Sequence, residues 1–230
     1  LLFRKKKVSS KYQFNPRKSL TIVSDESLTA PIRLRQNNFG NDIANPMTFP
    51  KSLLKAYQVH VENGLSIKVL VVIRNQADLL YSQYVEEYKL VLNKSVDIIH
   101  NKDGEIDLSG MEIYNYSIYL QELEKTFGKK NITVCLFEDL KNNSVKFSEK
   151  ISPLLQYDSN LIDNLLQKFH FNKKDRNNEG YLTAVSKVNI KYFSDKDKAT
   201  IMKNFHDSNL MLENDWGIPK DKLYDYKYII

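Results

Sequence analysis

The chain of 230 residues contains a single cysteine, Cys135, so no disulfide bond can form within it. This cysteine lies in the apolar run ITVCLF (132–137) and is predicted to be a small core residue. The four histidines show no spacing typical of metal ligands, and with one cysteine a zinc site is not expected. A reducing compartment is compatible with this composition but not required by it.

Long apolar runs are also absent, and none approaches the length that is needed to cross a bilayer. The opening stretch LLFRKKK (1–7) is too short for a signal peptide and carries its charges on the wrong side. We therefore expect a cytoplasmic protein. A membrane-anchored or luminal location stays open, because the opening stretch has the character of a chain interrupted within an element.

Glycine and proline are scarce, with 7 and 6 residues, which excludes collagen-like and low-complexity architectures. No glycine begins a Gly-x-x-x-x-Gly-Lys or Gly-Thr-Thr run after an apolar strand, so a Gly-rich phosphate-binding loop is missing. The net charge of +6 suits an anionic partner such as a nucleotide, although a Lys-rich surface of ordinary composition is the alternative. Nucleic acid is not expected as a partner, because the lysines are dispersed and no recognition motif is present.

Three short runs rich in Val, Ile and Leu are predicted to be strands: 19–24, 67–74 and 132–137. None alternates in polarity, which is typical of strands in a parallel sheet that helices cover on both faces. The sequence therefore predicts one three-layer α/β domain over residues 1–230, with a mostly parallel sheet flanked by helices.

Apolar residues at helical spacing predict helices in the remaining segments. These are 76–92, 112–127, 143–156, 160–170, 181–193 and 195–213. Gly128 is the expected C-cap of the second, and Ser194 with Asp197 forms a capping-box pattern before the last. The polar stretches around 93–110 and at 172–180 are predicted to be loops.

The strand at 67–74 ends on Arg74, at the edge of a parallel sheet where α/β proteins bind ligands. Asn75 is predicted to cap the next helix, with Asp78 reciprocating. Ser82 lies about two turns farther on, so it can converge with Arg74 above the sheet edge. A guanidinium and a hydroxyl together suit a phosphate. The alternative is that Arg74 pairs with a nearby carboxylate and Ser82 is incidental.

The stretch RNQADLLYSQY (74–84) resembles the 3′-phosphate-binding segment of PAPS-dependent sulfotransferases. In that family a strand ends in Arg-Asn-Pro and a serine follows eight positions after the arginine; here Gln76 replaces the proline. The runs ITVCLFEDL (132–140) and FHDSNLMLENDWGI (205–218) resemble the family's strand with Glu-Asp-Leu and its C-terminal Asn-x-x-Leu helix. The similarity covers roughly residues 19–230, and the Asn-x-x-Leu helix resembles that of members acting on glycans more than that of members acting on small phenols.

The resemblance implies a P-loop-like sulfotransferase fold and PAPS as co-substrate, and the histidine and cysteine content predicts no metal. It implies that Arg74 and Ser82 bind the 3′-phosphate, and that the loop with Lys173, Lys174 and Arg176 contacts the nucleotide; a solvated charged loop is the alternative. The implied reaction transfers a sulfuryl group to a hydroxyl or amine, with a carbohydrate as the expected acceptor. A non-catalytic nucleotide- or glycan-binding member of the fold and a nucleotide kinase stay open.

The family's Gly-rich loop, which cradles the 5′-phosphosulfate, would precede the segment where this chain begins. We therefore expect an N-terminally truncated piece that is poorly stable and inactive by itself, with a degenerate member as the alternative.

Carboxylates follow two of the predicted strands. Glu26 is a candidate base toward the acceptor; the alternative is a helix cap at Ser24 or Asp25. Glu138 and Asp139 are adjacent and diverge in direction, so Glu138 is expected to be structural and to bond nearby backbone N–H groups.

Overall fold

The computed structural model describes residues 47, 49–62, 64, 66–90, 99–168, 176–177, 180–182 and 189–229. The helices and strands follow one another in these ranges, with short 3₁₀ turns at Glu112–Tyr114 and Lys129–Asn131. In chain order they are α1 (Phe49–Glu62), β1 (Val69–Ile73), α2 (Gln76–Leu90), α3 (Tyr116–Phe127), β2 (Ile132–Leu136), α4 (Phe137–Asn142), α5 (Ser144–Leu155), α6 (Ser159–Lys168), β3 (Arg176–Asn177), β4 (Gly180–Leu182), β5 (Asn189–Lys191), α7 (Asp195–Trp216) and α8 (Lys220–Asp225). The predicted strand at 19–24 lies outside the described residues.

Strands β1 and β2 form a parallel pair, in register from Val69↔Ile132 to Ile73↔Leu136. Their sequences VLVVI and ITVCL are rich in β-branched residues, which favour extended backbone. A parallel pair needs a long crossover, and here α2 and α3 lie within it. The predicted strands at 67–74 and 132–137 and their parallel arrangement are confirmed, except that Phe137 already begins α4.

Helices cover the parallel pair on two sides. On one face Ile73, Val134 and Leu136 join the main core, to which α2, α3 and α7 contribute. On the other face Cys135 packs against α5 and α6. The buried helical residues of the main core include Leu80, Val85, Leu120, Leu123, Ile201, Phe205 and Leu212. The predicted three-layer α/β architecture and the core position of Cys135 are confirmed.

Coverage of the two strands is unequal. Leu70 and Val72, which alternate with the core residues of β1, are 38% and 43% exposed. In β2 the last three residues are all buried. Helix α5 contacts β2, which explains why the second face of β2 is better covered than that of β1.

Side-chain caps fix the ends of the long helices. Asn115 Oδ1 accepts from Ile118 N at 3.4 Å, so the predicted helix at 112–127 starts as a 3₁₀ turn and restarts at Tyr116. Gly128 ends α3 with φ of 77°, where glycine is favoured. Ser194 and Asp197 form the predicted capping box of α7. The helices predicted at 76–92, 143–156, 160–170 and 195–213 are confirmed within a few residues.

The prediction of a helix over 181–193 is wrong. Residues 180–182 and 189–191 are strands, and β3, β4 and β5 pair antiparallel in a small separate sheet. The segment YLTAVSKVNIKYF (181–193) is rich in Val, Ile, Thr and Tyr, whose preference for strands prevails over an approximate helical spacing. The loop predicted at 172–180 is also wrong at Arg176–Asn177, which form β3.

Three helices were not predicted: α1, α4 and α8. The short helices α4 and α8 have six residues each, too few for apolar periodicity to be recognised. None of the helices in the described ranges is long and apolar enough to cross a membrane.

Candidate functional site

The carboxyl ends of β1 and β2 meet at one edge of the sheet, and two helices begin there. Arg74 follows β1 and leads into α2, while Phe137 follows β2 and begins α4. The guanidinium carbon of Arg74 lies 4.9 Å from the centroid of the Phe137 ring. Such stacking orients a guanidinium and leaves its N–H groups able to donate. The candidate site is therefore centred on Arg74.

Tyr116, the first residue of α3, holds the backbone of Arg74 on both sides. The N–H of Arg74 donates to the Tyr116 hydroxyl at 3.3 Å, and this hydroxyl donates to the carbonyl oxygen of Arg74 at 2.5 Å. Burial raises the pKa of Tyr116 well above its ordinary value, against the opposing effect of the bond to Arg74. The hydroxyl therefore stays protonated and remains a donor at neutral pH.

Asn75 is buried, and all of its polar groups are hydrogen-bonded. Its Oδ1 accepts from Asp78 N at 3.2 Å, the predicted cap of α2. Its N–H donates to Glu138 Oε1 at 3.0 Å, so the prediction that Asp78 would reciprocate is wrong. Glu138 fills that role because α4 begins beside α2 at the same sheet edge. The expectation that Glu138 is structural and bonds a backbone N–H is confirmed.

The side-chain amide of Asn75 reaches the last described segment of the chain. Its Nδ2 donates to the carbonyl oxygens of Tyr226 and Lys227, at 3.2 and 2.7 Å. These contacts join residues about 150 positions apart in sequence. A cap residue thus also ties the C-terminal segment to the Arg74 turn.

Gln76 stands where the sulfotransferase-like motif has proline, and its side chain is completely buried. Its amide makes a reciprocal pair with Asn209 of α7: Gln76 Nε2 donates to Asn209 Oδ1 at 2.8 Å, and Asn209 Nδ2 donates to Gln76 Oε1 at 3.0 Å. Gln76 Nε2 also donates to the carbonyl oxygen of Tyr114, and Asn209 Nδ2 to that of Tyr228, at 3.2 and 2.8 Å. Two buried amides therefore satisfy each other and two backbone groups.

The carboxylates of Glu138 and Asp139 are both held by donors from the C-terminal segment. Tyr228 donates its hydroxyl to Glu138 Oε2 at 2.8 Å. Lys222 Nζ lies 2.8 Å from each oxygen of Asp139, and the Tyr226 hydroxyl donates to Asp139 Oδ1 at 3.0 Å. Burial raises the pKa of Tyr228 well above its ordinary value, and nearby Tyr116 and Glu138 act in the same direction. Of the two carboxylates beside Arg74, Asp139 is therefore paired with a cation, whereas Glu138 is held by neutral donors.

The chemistry of this edge suits an anion. Within the described ranges the guanidinium of Arg74 forms no ion pair with a carboxylate, so the alternative reading of Arg74 finds no support there. A half-buried guanidinium on a fixed backbone offers a fork of donors with the spacing of phosphate or carboxylate oxygens. No cluster of His, Cys, Asp and Glu in the described part of the chain could hold a metal ion.

The other predicted site residues are less completely described. Ser82 is half-buried in α2, about two turns after Asn75. Arg176 lies in β3, opposite Tyr181 of β4. Glu26, Lys173 and Lys174 lie outside the described residues. The assignment of Arg74 and Ser82 to a phosphate, and of the other four to their roles, therefore stays a prediction.

Sequence reasoning missed the residues that hold the Arg74 turn in place: Tyr116, Asn209, Lys222, Tyr226 and Tyr228. Asn209 belongs to the Asn-x-x-Leu pattern, but that pattern does not say what its amide binds. The alternating tyrosines at 224, 226 and 228 are a sequence signal that could have indicated these contacts. Tyr226 and Tyr228, two residues apart, both donate to carboxylates of α4.

Comparison with known proteins gives one family. A family model described as a sulfotransferase domain matches residues 47–206, more than half of the chain. No curated protein and no solved structure matches the chain. The matched residues include both parallel strands and the Arg74–Asn75 turn, and they end before Asn209 and the C-terminal segment.

Proposed function

Because the chain belongs to the sulfotransferase domain family, we propose that Arg74 and Ser82 bind the 3′-phosphate of PAPS, the sulfuryl donor that this family generally uses. The observation that carries the proposal is the state of Arg74. Its guanidinium lies on the Phe137 ring, its backbone is held on both sides by Tyr116, and it has no ion-pair partner among the described residues.

The electrostatics of the sheet edge favour this ligand. Arg74 immediately precedes the N-terminus of α2, a helix of 15 residues, and helix N-termini attract anions. The charge of Asp139 is offset by Lys222, whereas Glu138 accepts only from neutral donors, the Asn75 N–H and the Tyr228 hydroxyl. The attraction for a phosphate at this edge therefore comes from Arg74 and the N-terminus of α2.

The proposed reaction is direct transfer of the sulfuryl group to a hydroxyl or amine of the acceptor. The acceptor atom forms a bond to sulfur as the bond from sulfur to the bridging phosphate oxygen breaks, and PAP leaves. The acceptor proton passes to a base, for which Glu26 is our candidate. Positioning and charge stabilisation are the expected sources of rate.

A carbohydrate is the acceptor class that we propose to test first. The support is the Asn-x-x-Leu helix at Asn209–Leu212, which resembles that of members acting on glycans. Lys173, Lys174 and Arg176 are proposed to add contacts to the nucleotide. The location that we propose is cytoplasmic.

The direct experiment is transfer of radioactive sulfate from PAPS by protein expressed from the complete reading frame. A panel of oligosaccharides, small phenols and amines serves as acceptors. We expect label in at least one oligosaccharide, and a loss of roughly 100-fold in activity for Arg74→Ala, because charge-assisted bonds to phosphate contribute roughly 1.5–3 kcal/mol each.

Lys68→Ala is the matched control, because this exposed cation precedes the same strand at its opposite end. Its activity should equal that of the unmutated protein. Nucleotide binding without transfer to any acceptor would favour a non-catalytic binding protein. Transfer of phosphate rather than sulfate would favour a kinase.

A further inference from the structure

The segment from Ile218 to Ile229 folds back from the end of α7 onto the Arg74–Asn75 turn. It begins after Gly217, where the helix ends with φ of 63°, and Ile218 N donates to the Leu212 carbonyl oxygen at 3.2 Å. Helix α8 and a closing turn follow, with Tyr228 N donating to the carbonyl oxygen of Leu223 at 2.8 Å. This segment, here called the C-terminal clamp, lies beyond the residues that the family model matches.

The clamp reaches the turn by three independent routes. Backbone carbonyls of Tyr226 and Lys227 accept from the Asn75 side chain. The Tyr228 hydroxyl binds Glu138, which in turn accepts the Asn75 N–H. The Tyr228 carbonyl accepts from Asn209, the partner of Gln76. Each route ends on one of the two residues that directly follow Arg74.

The backbone of the clamp is strained at the point of contact. Lys227 has φ of 60°, in the left-handed region that residues other than Gly, Asn and Asp rarely adopt. Its carbonyl oxygen makes the shorter of the two bonds to Asn75, at 2.7 Å. Such strain persists where surrounding contacts determine the geometry, which indicates that the position of this carbonyl is firmly fixed.

The core packing of the clamp makes it a rigid support. Ile218, Leu223, Tyr228 and Ile229 are all buried in the main core. Lys222 and Tyr226 add bonds to Asp139, at the start of α4. The clamp therefore joins the first turns of α2 and α4, the two helices that flank Arg74 and its Phe137 platform.

We propose that the C-terminal clamp is a positioning element for the 3′-phosphate site, which holds the Arg74–Asn75 turn in the geometry that binds the phosphate. This inference rests on the proposed function. None of the clamp residues needs to touch the nucleotide, since their contacts end on Asn75, Gln76, Glu138 and Asp139. The clamp would set the affinity for the 3′-phosphate in particular, not for nucleotides in general.

The test compares three tyrosines of the clamp. Tyr226→Phe and Tyr228→Phe each remove one hydroxyl that bonds a carboxylate beside Arg74 and keep the ring. Tyr224→Phe is the matched control, because Tyr224 lies in the same segment and is 50% exposed. Calorimetry on protein expressed from the complete reading frame measures its affinity for PAP and for ADP, which lacks the 3′-phosphate.

We expect Tyr226→Phe and Tyr228→Phe each to lower PAP affinity by about fivefold, the size of one lost hydrogen bond. ADP affinity should stay unchanged, and Tyr224→Phe should change neither. Lys222→Gln is a second route to the same result if the tyrosine variants fold poorly, because Lys222 is partly exposed and this change removes the clamp's ion pair with Asp139.

Two results would overturn the inference while leaving the proposed function standing. One is a preference for PAP that the Tyr226→Phe/Tyr228→Phe double variant retains in full. The other is an equal loss of PAP and ADP affinity, which would make the clamp a general structural support. If the unmutated chain binds PAP no better than ADP, the 3′-phosphate assignment itself is wrong, and the inference fails with it.

Discussion

The two ends of β1 each carry a cation, and their surroundings differ. Lys68 precedes the strand, is exposed and donates to Asn131 Oδ1 at 2.7 Å, beside an open cavity of about 610 Å³ that Lys130 also lines. Arg74 follows the strand, lies against an aromatic ring and has a backbone that Tyr116 and the clamp fix through Asn75. Both ends offer positive charge, but only at the carboxyl end is the cation half-buried against a ring, with the backbone beside it bonded to other elements.

The comparison shows what distinguishes a candidate site from a charged surface. An exposed lysine loses side-chain entropy when it binds an anion and is screened by salt, so its contacts contribute little. A guanidinium whose backbone is already fixed loses less on binding. Rigid support, more than the number of positive charges, is therefore the feature on which we base the assignment.

The largest expected effect comes from breaking the buried amide pair behind Arg74. Asn209→Leu removes partners from both polar atoms of Gln76 and from the Tyr228 carbonyl, all without access to water. Because each unsatisfied buried group costs about 1–3 kcal/mol, we expect the free energy of unfolding to fall by about 3 kcal/mol or more. Urea denaturation followed by circular dichroism measures it.

Lys68→Ala is the comparison at the opposite end, and its effect should lie within about 0.5 kcal/mol, as for most surface changes. Equal losses for the two variants would mean that the carboxyl end is no more rigid than the amino end.

A smaller effect is expected for Tyr116→Phe, which leaves the N–H and carbonyl of Arg74 without their shared partner. The loss of stability at neutral pH should be about 1–2 kcal/mol. Because burial raises the pKa of Tyr116 in the folded state, its contribution is complete below the ordinary tyrosine pKa of about 10 and is lost as pH rises above it.

The unmutated chain should therefore lose more stability than Tyr116→Phe between roughly pH 9.5 and 11. Thermal melts across this range test the sign, with Tyr157→Phe, at an exposed tyrosine, as the control. Parallel curves for the unmutated chain and Tyr116→Phe would contradict the account.

The smallest effect concerns the strained residue of the clamp. Lys227→Gly removes a left-handed strain of about 1–2 kcal/mol but adds the flexibility of glycine to the unfolded chain, so stability should stay unchanged or rise slightly. Lys227→Val should lower stability, since a β-branched residue resists this backbone conformation.

Gln156 provides the control, because it has φ of 58° at the end of α5, where it has no part in the clamp. Gln156→Val should lower stability by a similar amount without changing PAP affinity, whereas Lys227→Val should change both. Melting temperatures and calorimetry separate the two cases, and an unchanged PAP affinity in Lys227→Val would count against the clamp.

The elements that carry the site were predictable because their signals are local. The apolar runs of β1 and β2, the Asn75 cap and the Ser194–Asp197 capping box each depend on a few consecutive residues. Even the structural role of Glu138 was inferred locally, because Glu138 and Asp139 are adjacent and diverge in direction.

The support of the site was not predictable, since it depends on groups without a sequence signature. The clamp acts largely through the carbonyl oxygens of Tyr226, Lys227 and Tyr228, which any residue could supply. Its contacts join positions far apart in the chain. The error over 181–193 has a different cause, because short amphipathic segments fit both a helix and a hairpin, and pairing with β3 decides between them.

The most direct test of the central claim is calorimetric titration of PAP and ADP into protein expressed from the complete reading frame, unmutated or carrying Arg74→Ala or Lys68→Ala. We predict that the unmutated chain and Lys68→Ala prefer PAP by at least about tenfold, the equivalent of one charge-assisted bond to the 3′-phosphate. Arg74→Ala should bind the two nucleotides about equally. Equal affinity for PAP and ADP in the unmutated chain, or a preference that Arg74→Ala retains and Lys68→Ala loses, would contradict the account.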